Sequence, residues 1–401
     1  MSHLRLVDPG QRFLPYGRQA IDEADIAAVA AVLRSDFLTT GPAVEAFEAA
    51  FAETVDAPHA ISCANGTAAL HLAMLALDVK PGDCVIAPTI TFLATANAAR
   101  FVGADVVFAD VDPETALMTP DTLAAAYARA NGKRVRAILP VHLAGNPCDT
   151  AAMRKMAEER GAVLVEDACH AVGATTLFGN VGDAHQSAMA VFSFHPVKTI
   201  ATGEGGMVTT RDDALAKRLK QFRSHGMTRE SADFVDPSVS ADTDGAPAPW
   251  AYEMQTLGYN YRLNDIQAAL GLSQLKKLAR FKMQRRILVE AYQDAFKQIG
   301  IASMPMAPGA CPHLFVALID FAARGVTRAT VMQRLRERGI GAQVHYIPVH
   351  RQPYYRALYG DLKLPGAEAY YARCLSLPLF PTMTEEDVAM VVSALTDSLR
   401  G

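Results

Sequence analysis

The chain has 401 residues, 50% of them hydrophobic and 20% charged, with a formal net charge of −4. That composition supports a large buried core and excludes global disorder, and at roughly 150 residues per domain it is chain enough for two or three domains. The charge balance argues against a dedicated nucleic-acid binder, which carries a basic excess, and no uncharged apolar stretch reaches the roughly 18 residues that a membrane span requires.

In chain order, the opening MSHLRLVDPGQRF lacks the apolar stretch of a secretory signal. Two amphipathic helices follow. Ile26, Val29 and Leu33 form one stripe, Val44, Phe47 and Phe51 another, and Gly41-Pro42 breaks the chain between them. From about residue 60 short apolar runs alternate with helical patterns: CVIAP at 84–88, DVVFAD at 105–110, AILPVHL at 137–143 and VLVEDA at 163–168. This rhythm predicts an α/β fold, a mostly parallel central sheet covered by helices on both faces. AVFSF at 190–194 and GGMVTT at 205–210 read as added antiparallel strands.

Residues 227–252, rich in Asp, Ser, Pro and Ala and holding the only tryptophan, Trp250, break the rhythm. They read equally as a surface loop or an active-site cover. Residues 262–299 read as one long helical connector whose basic cluster, Lys276 to Arg286, is a solvated face. A small C-terminal α+β unit follows, with strands HLFVALID and LSLPL and a final helix from about 384. The expected division is 1–270, an arm and large domain, and 271–401, connector and small domain. The six cysteines, with no CxxC pair among them, read as reduced thiols in a cytoplasm, neither a disulfide framework nor a metal site.

Four features bear chemistry. Lys198 follows an apolar strand in SFHPVK with few charges nearby; a desolvated amine has a lowered pKa, which suits imine formation with an aldehyde. Asp167 ends the buried strand VLVED, at the carboxyl edge where open α/β sheets bind ligands. It reads as the anionic partner of a pyridinium nitrogen or, more plainly, as a helix cap or one half of a structural ion pair. The turn Cys63-Ala-Asn-Gly66-Thr67-Ala68 opens a helix whose free N–H groups suit a phosphate. Phe92, in the turn after CVIAP, reads as core or as a platform for a flat ring. An amine, a carboxylate, a phosphate cradle and an aromatic platform together are the parts that pyridoxal 5′-phosphate requires.

With those residues the chain resembles the DegT/DnrJ/EryC1/StrS sugar aminotransferases, through FLTTGPAVEAFE (37–48), ANGTAALHLAM (64–74), APTITFLATANA (87–98), VEDACHAVGA (165–174), FSFHPVKTIATGEGGMVTT (192–210) and LGYNYRLNDIQAALGLSQL (257–275). The resemblance implies the fold-type I architecture of PLP-dependent transferases. Lys198 is then the Schiff-base lysine, Asp167 the partner of the ring nitrogen, and His170 a neighbour of the ring O3′. Phe92 stacks on the ring, while Gly66, Thr67, Ala68 and Ser193 hold the phosphate. Asn260 reaches the phosphate of a neighbouring subunit's cofactor, so a homodimer with shared sites is implied. Tyr16, Thr39, His195, His345 and Tyr346 are the expected substrate contacts. LPYGRQAI (14–21) and IPVHRQPYY (347–355) are similar to C4 aminotransferases of pseudaminic acid biosynthesis, implying L-glutamate and UDP-2-acetamido-2,6-dideoxy-β-L-arabino-hex-4-ulose. Thr40 departs from the FLTQGP common in the group. The alternatives are another GDP-, dTDP- or UDP-linked keto sugar, or a PLP-binding regulator without turnover. A related dehydratase is disfavoured, because those relatives lack the lysine. No metal, nucleic-acid or membrane partner is expected.

Overall fold

The computed structural model describes residues 12–236, 238, 242 and 248–400. Its first helices are α1 (Glu23–Leu33) and α2 (Pro42–Val55). Asp22 and Asp25 close a capping box on α1, and Pro42 starts α2 with the φ a helix needs. Phe47 and Phe51 of α2 are buried, as its spacing predicts, together with Val55, while Val44 of the expected stripe is half-buried. The apolar stripe of α1 is not: Ile26 and Leu33 are 52% and 58% exposed. The helix instead buries Asp25, which accepts from Gln274 and pairs with Lys277. A charge anchored at the helix–helix contact thus turns the apolar face outward.

The large body builds β1 (His59–Cys63), α3 (Gly66–Ala76), β2 (Asp83–Pro88), α4 (Leu93–Phe101), β3 (Asp105–Ala109), α5 (Pro120–Ala130), β4 (Arg134–Ile138), α6 (Thr150–Glu158) and β5 (Val163–Asp167). A short hairpin of β6 (Thr175–Thr176) and β7 (Gly179–Asn180) precedes β8 (Met189–Ser193), β9 (Gly206–Thr210) and α7 (Asp213–Arg223). Seven strands form one sheet in the order β1-β9-β8-β5-β4-β2-β3. β9 runs antiparallel to both its neighbours, and every other pairing is parallel. The expectation of two antiparallel strands is therefore corrected: β8 joins β5 in parallel. β2 and β9 are buried along their whole length, as a sheet covered on both faces requires. Because β1, β2, β5 and β8 point the same way, their carboxyl ends share one edge.

Residues 227–252 open with β10 (Met227–Thr228), which pairs with β11 (Glu253–Met254). The Glu253 carboxylate accepts the N–H groups of Val235 and Asp236. Positions 237, 239–241 and 243–247, on which the active-site-cover reading bears, lie outside the described residues.

The expected single connector is two helices, α8 (Asp265–Leu275) and α9 (Leu278–Ile299). Its basic cluster is only partly solvated. Lys277 pairs with Asp22 and Asp25, and Arg285 is fully buried, donating to the carbonyl oxygens of His313 and Leu379. β12 (Ala302–Ser303) and β13 (Phe315–Leu318) come next, then α10 (Arg328–Glu337), α11 (Pro353–Tyr359), α12 (Pro365–Arg373), β14 (Cys374–Leu377) and α13 (Glu385–Leu399). The three strands form an antiparallel sheet whose core includes Tyr292, stacked on Phe315 at 4.3 Å, and Leu335, Leu375 and Leu395. Leu14 enters the same core through a bridge to Ile340, tying the N-terminal arm to this unit.

Candidate active site

A cavity of about 880 Å³ opens where β1, β2, β5 and β8 end. Asp167, His170, Lys198, Ser193, Phe92 and the Gly66–Ala68 turn all line it. The parallel sheet does this by itself: each residue follows a strand that stops at the same edge.

Asp167 closes β5 and is 5% exposed. Its Oδ1 accepts the Cys169 N–H at 3.2 Å and its Oδ2 accepts the Thr95 hydroxyl at 2.7 Å. Lys198 sits in the turn after β8, its own N–H donating to the His195 carbonyl at 2.8 Å. Loss of water lowers its ammonium pKa, against the opposing pull of Cys169 and Asp167. A larger fraction of free amine at neutral pH is the state a nucleophile needs.

His170 is held in one protonation state. The Ala144 N–H donates to its Nδ1 at 3.3 Å, so a neutral ring carries its proton on Nε2, which faces the Tyr346 hydroxyl at 3.3 Å. Burial, then the charge of Lys198, holds its pKa well below the ordinary imidazole value. The neighbouring Gly145 adopts φ +86°, and a Cβ there would lie 1.8 Å from the Cys311 carbonyl oxygen. Only glycine lets the chain pass so close.

At the start of α3, Asn65 accepts the Ala68 N–H at 2.8 Å. Gly66 and Thr67, at the first helical positions, have no intrahelical acceptor for their N–H groups. A Cβ at Gly66 would meet the Ser193 Cβ at 2.9 Å, so the glycine keeps the helix start against the end of β8. That leaves N–H donors and the Thr67 and Ser193 hydroxyls around one concave spot, and the donor set fits a phosphate. Phe92 is 57% exposed and lines the cavity rather than the core. These residues fit pyridoxal 5′-phosphate at each end: anion donors for its phosphate, a carboxylate and an amine for its ring and carbonyl, an aromatic face beside them.

Of the expected substrate contacts, Tyr16, His195, His345 and Tyr346 line the cavity. The His345 Nδ1 lies 2.8 Å from the Ser376 hydroxyl, and burial pushes its pKa down to about 3, so the ring is neutral. Thr39 and Asn260 do not line the cavity of their own chain. Thr39 bridges Asn264 and Asn260 bridges Ser224. Asn260 is no helix cap either; Asn264 fills that role for α8. Thr91, Thr95, His71, Tyr261 and Gln343 join the lining without having been expected there as site residues. Thr91 and Thr95 straddle the start of α4, Thr91 before its cap Phe92 and Thr95 in its first turn, so their spacing carried no helix-face signal.

Residues 19–396 match the DegT/DnrJ/EryC1/StrS aminotransferase family. The chain is 39% identical to the spore coat polysaccharide biosynthesis protein SpsC of Bacillus subtilis over 99% of this chain and 100% of that one. Its fold is similar to Helicobacter pylori PseC, an aminotransferase involved in the biosynthesis of pseudoaminic acid. The TM-score is 0.85, with 29% identity over 97% of this chain and 99% of that chain. It is also similar to the PLP form of Spr1654 of Streptococcus pneumoniae, a sugar aminotransferase by its description. There the TM-score is 0.85, with 27% identity over 96% of this chain and 98% of that chain. Among the described residues no helix is long and apolar enough to cross a membrane.

Proposed function

The chain belongs to the DegT/DnrJ/EryC1/StrS aminotransferase family, and on that premise we propose that it moves an amino group from L-glutamate to C4 of a nucleotide-linked 4-keto-6-deoxy sugar. The supporting observation is the convergence of the Lys198 amine, the Asp167 carboxylate and the α3 N-terminus on one cavity. The enzyme uses pyridoxal 5′-phosphate, which when bound supplies an electrophilic carbonyl carbon and a ring that accepts electrons from the substrate carbon.

The protein's residues do the rest. Gly66, Thr67, Ala68 and Ser193 hold the phosphate and fix the cofactor's position. Lys198 attaches the cofactor, then acts as the base that takes a proton from the donor's α-carbon and later returns one to the sugar carbon that receives nitrogen. The face from which Lys198 delivers that proton sets the new stereocentre. Asp167 supplies the negative charge for the ring nitrogen. His170, neutral with its proton on Nε2, is a donor beside the ring oxygen. Phe92 would offer its aromatic face to the bound ring, and Tyr16, His195, His345 and Tyr346 present polar groups to the substrate.

The favoured acceptor is UDP-2-acetamido-2,6-dideoxy-β-L-arabino-hex-4-ulose, supported by the likeness to PseC. The higher identity to SpsC favours a second reading, a different UDP-, GDP- or dTDP-linked keto sugar destined for a surface polysaccharide. Purified protein with glutamate and a panel of such sugars, analysed by mass spectrometry, separates them. The expected outcome is one 2-oxoglutarate released per amino sugar formed from UDP-2-acetamido-2,6-dideoxy-β-L-arabino-hex-4-ulose. Turnover of another sugar of the panel alone, whatever its nucleotide, replaces the first reading with the second.

The working unit is a homodimer in the cytoplasm, with Asn260 completing the partner's phosphate site. The exposed apolar residues Ile26, Leu33, Phe37, Leu38 and Leu257 support a covered face, and Phe37, Leu38 and Leu257 lie within three residues of Thr39 and Asn260 in the chain. Inactive Lys198→Ala subunits mixed with inactive Asn260→Ala subunits are expected to regain activity, because one site per mixed dimer is intact. Verified subunit exchange without recovery places Asn260 outside the partner's site.

A further inference from the structure

Asp167 is held by more than its strand. Thr95 and Thr91 are 1% and 2% exposed, and their hydroxyl oxygens lie 2.7 Å apart. A buried helical threonine ordinarily returns its hydroxyl to a carbonyl in the preceding turn. Thr95 instead donates to the Oδ2 of Asp167, 72 residues away, at 2.7 Å. A hydroxyl has one proton. With that of Thr95 committed to the carboxylate, its oxygen must accept from Thr91. The chain of bonds therefore runs one way, from Thr91 to Thr95 to Asp167. The other carboxylate oxygen accepts the Cys169 N–H at 3.2 Å. The plane of the carboxylate is thus set from two sides, by the start of α4 and by the turn after β5. Valine would fill the same volume as either threonine without a hydroxyl to satisfy, so a buried hydroxyl aimed at the anion and a second one aimed at the first are not explained by packing.

We propose that Thr95, oriented by Thr91, is the positioning residue for Asp167, fixing the carboxylate in the orientation in which it serves the ring nitrogen of the bound cofactor. The proposal rests on the reading of Asp167 as that nitrogen's partner. Thr95 lies in the first turn of α4 and Thr91 just before the helix, on either side of its cap Phe92, so one short segment places both the ring's platform and its counter-charge.

The test compares holoenzymes of Thr95→Val, Thr95→Ser, Thr91→Val and Asp167→Asn. It follows the pH titration of the visible absorption band of the lysine-bound cofactor, together with kcat and the KM for glutamate. Thr95→Val is expected to move the titration midpoint in the same direction as Asp167→Asn but less far. Its kcat should fall about tenfold, with KM within about twofold, as loss of a bond to a charged group implies. Thr95→Ser, which keeps the hydroxyl, should restore both, and Thr91→Val should give a smaller shift of the same sign. A Thr95→Val enzyme with the parent midpoint and kcat, or a serine variant that fails to restore them, overturns the proposal. If Thr95→Val does not fold, Thr91→Val decides: a shift of the same sign supports the proposal and none overturns it. An Asp167→Asn enzyme with unchanged midpoint and rate removes the underlying reading, and this one with it.

Discussion

Lys198→Ala is expected to abolish turnover, a loss of at least about 10⁴-fold, because one side chain both attaches the cofactor and carries the proton. The same variant should show no visible band of lysine-bound cofactor. Borohydride reduction of the unaltered holoenzyme followed by peptide mapping should place the pyridoxyl group on Lys198. The fold should survive. Among the described residues no protein group accepts a hydrogen bond from the Lys198 ammonium, and loss of water already disfavours its charge. Removing a cation that burial opposes costs little, so the thermal midpoint of the apoprotein should hold or rise. A label on another lysine, or an alanine variant with appreciable transamination, rejects the assignment.

The catalytic edge was legible because its logic is local. A buried run ending in Asp167, another followed by SFHPVK and a small-residue turn before a helix each state their place without tertiary help. What was not legible depends on partners. The direction of β8 is set by pairing with β5, and nothing in AVFSF distinguishes parallel from antiparallel. The stripe of α1 has helical spacing, but whether it faces core or solvent is decided by Asp25 reaching Gln274 and Lys277, some 250 residues on. The connector is interrupted at Lys276–Lys277 without a glycine or proline to announce it. Arg285 looked like one more surface cation in a basic run, and only the carbonyls of His313 and Leu379 make its burial tolerable. Thr95 stood inside APTITFLATANA as a residue of an alanine-rich helix. Its hydroxyl acquires meaning only when β5 brings a carboxylate to it.

Asp167→Asn is expected to lower kcat at least about 100-fold while the cofactor stays bound, because the ring nitrogen loses the anion that keeps it charged. The substitution is informative because asparagine preserves the structural part of the role. The Cys169 N–H bonds a side-chain oxygen two residues back, a turn that asparagine makes as readily as aspartate. Thr95 Oγ1 still finds a polar atom in place of the Asp167 Oδ2. Volume and burial are unchanged, and the phosphate cradle at Gly66–Ala68 lies on a different element. If Asp167 serves only as a cap on the turn after β5, the variant keeps stability, cofactor affinity and rate together. If its charge is chemical, stability and affinity persist while the rate falls, with the KM for glutamate nearly unchanged. Thermal unfolding, cofactor titration and steady-state kinetics on one preparation separate the two, and a rate within about threefold of the parent reduces Asp167 to a cap.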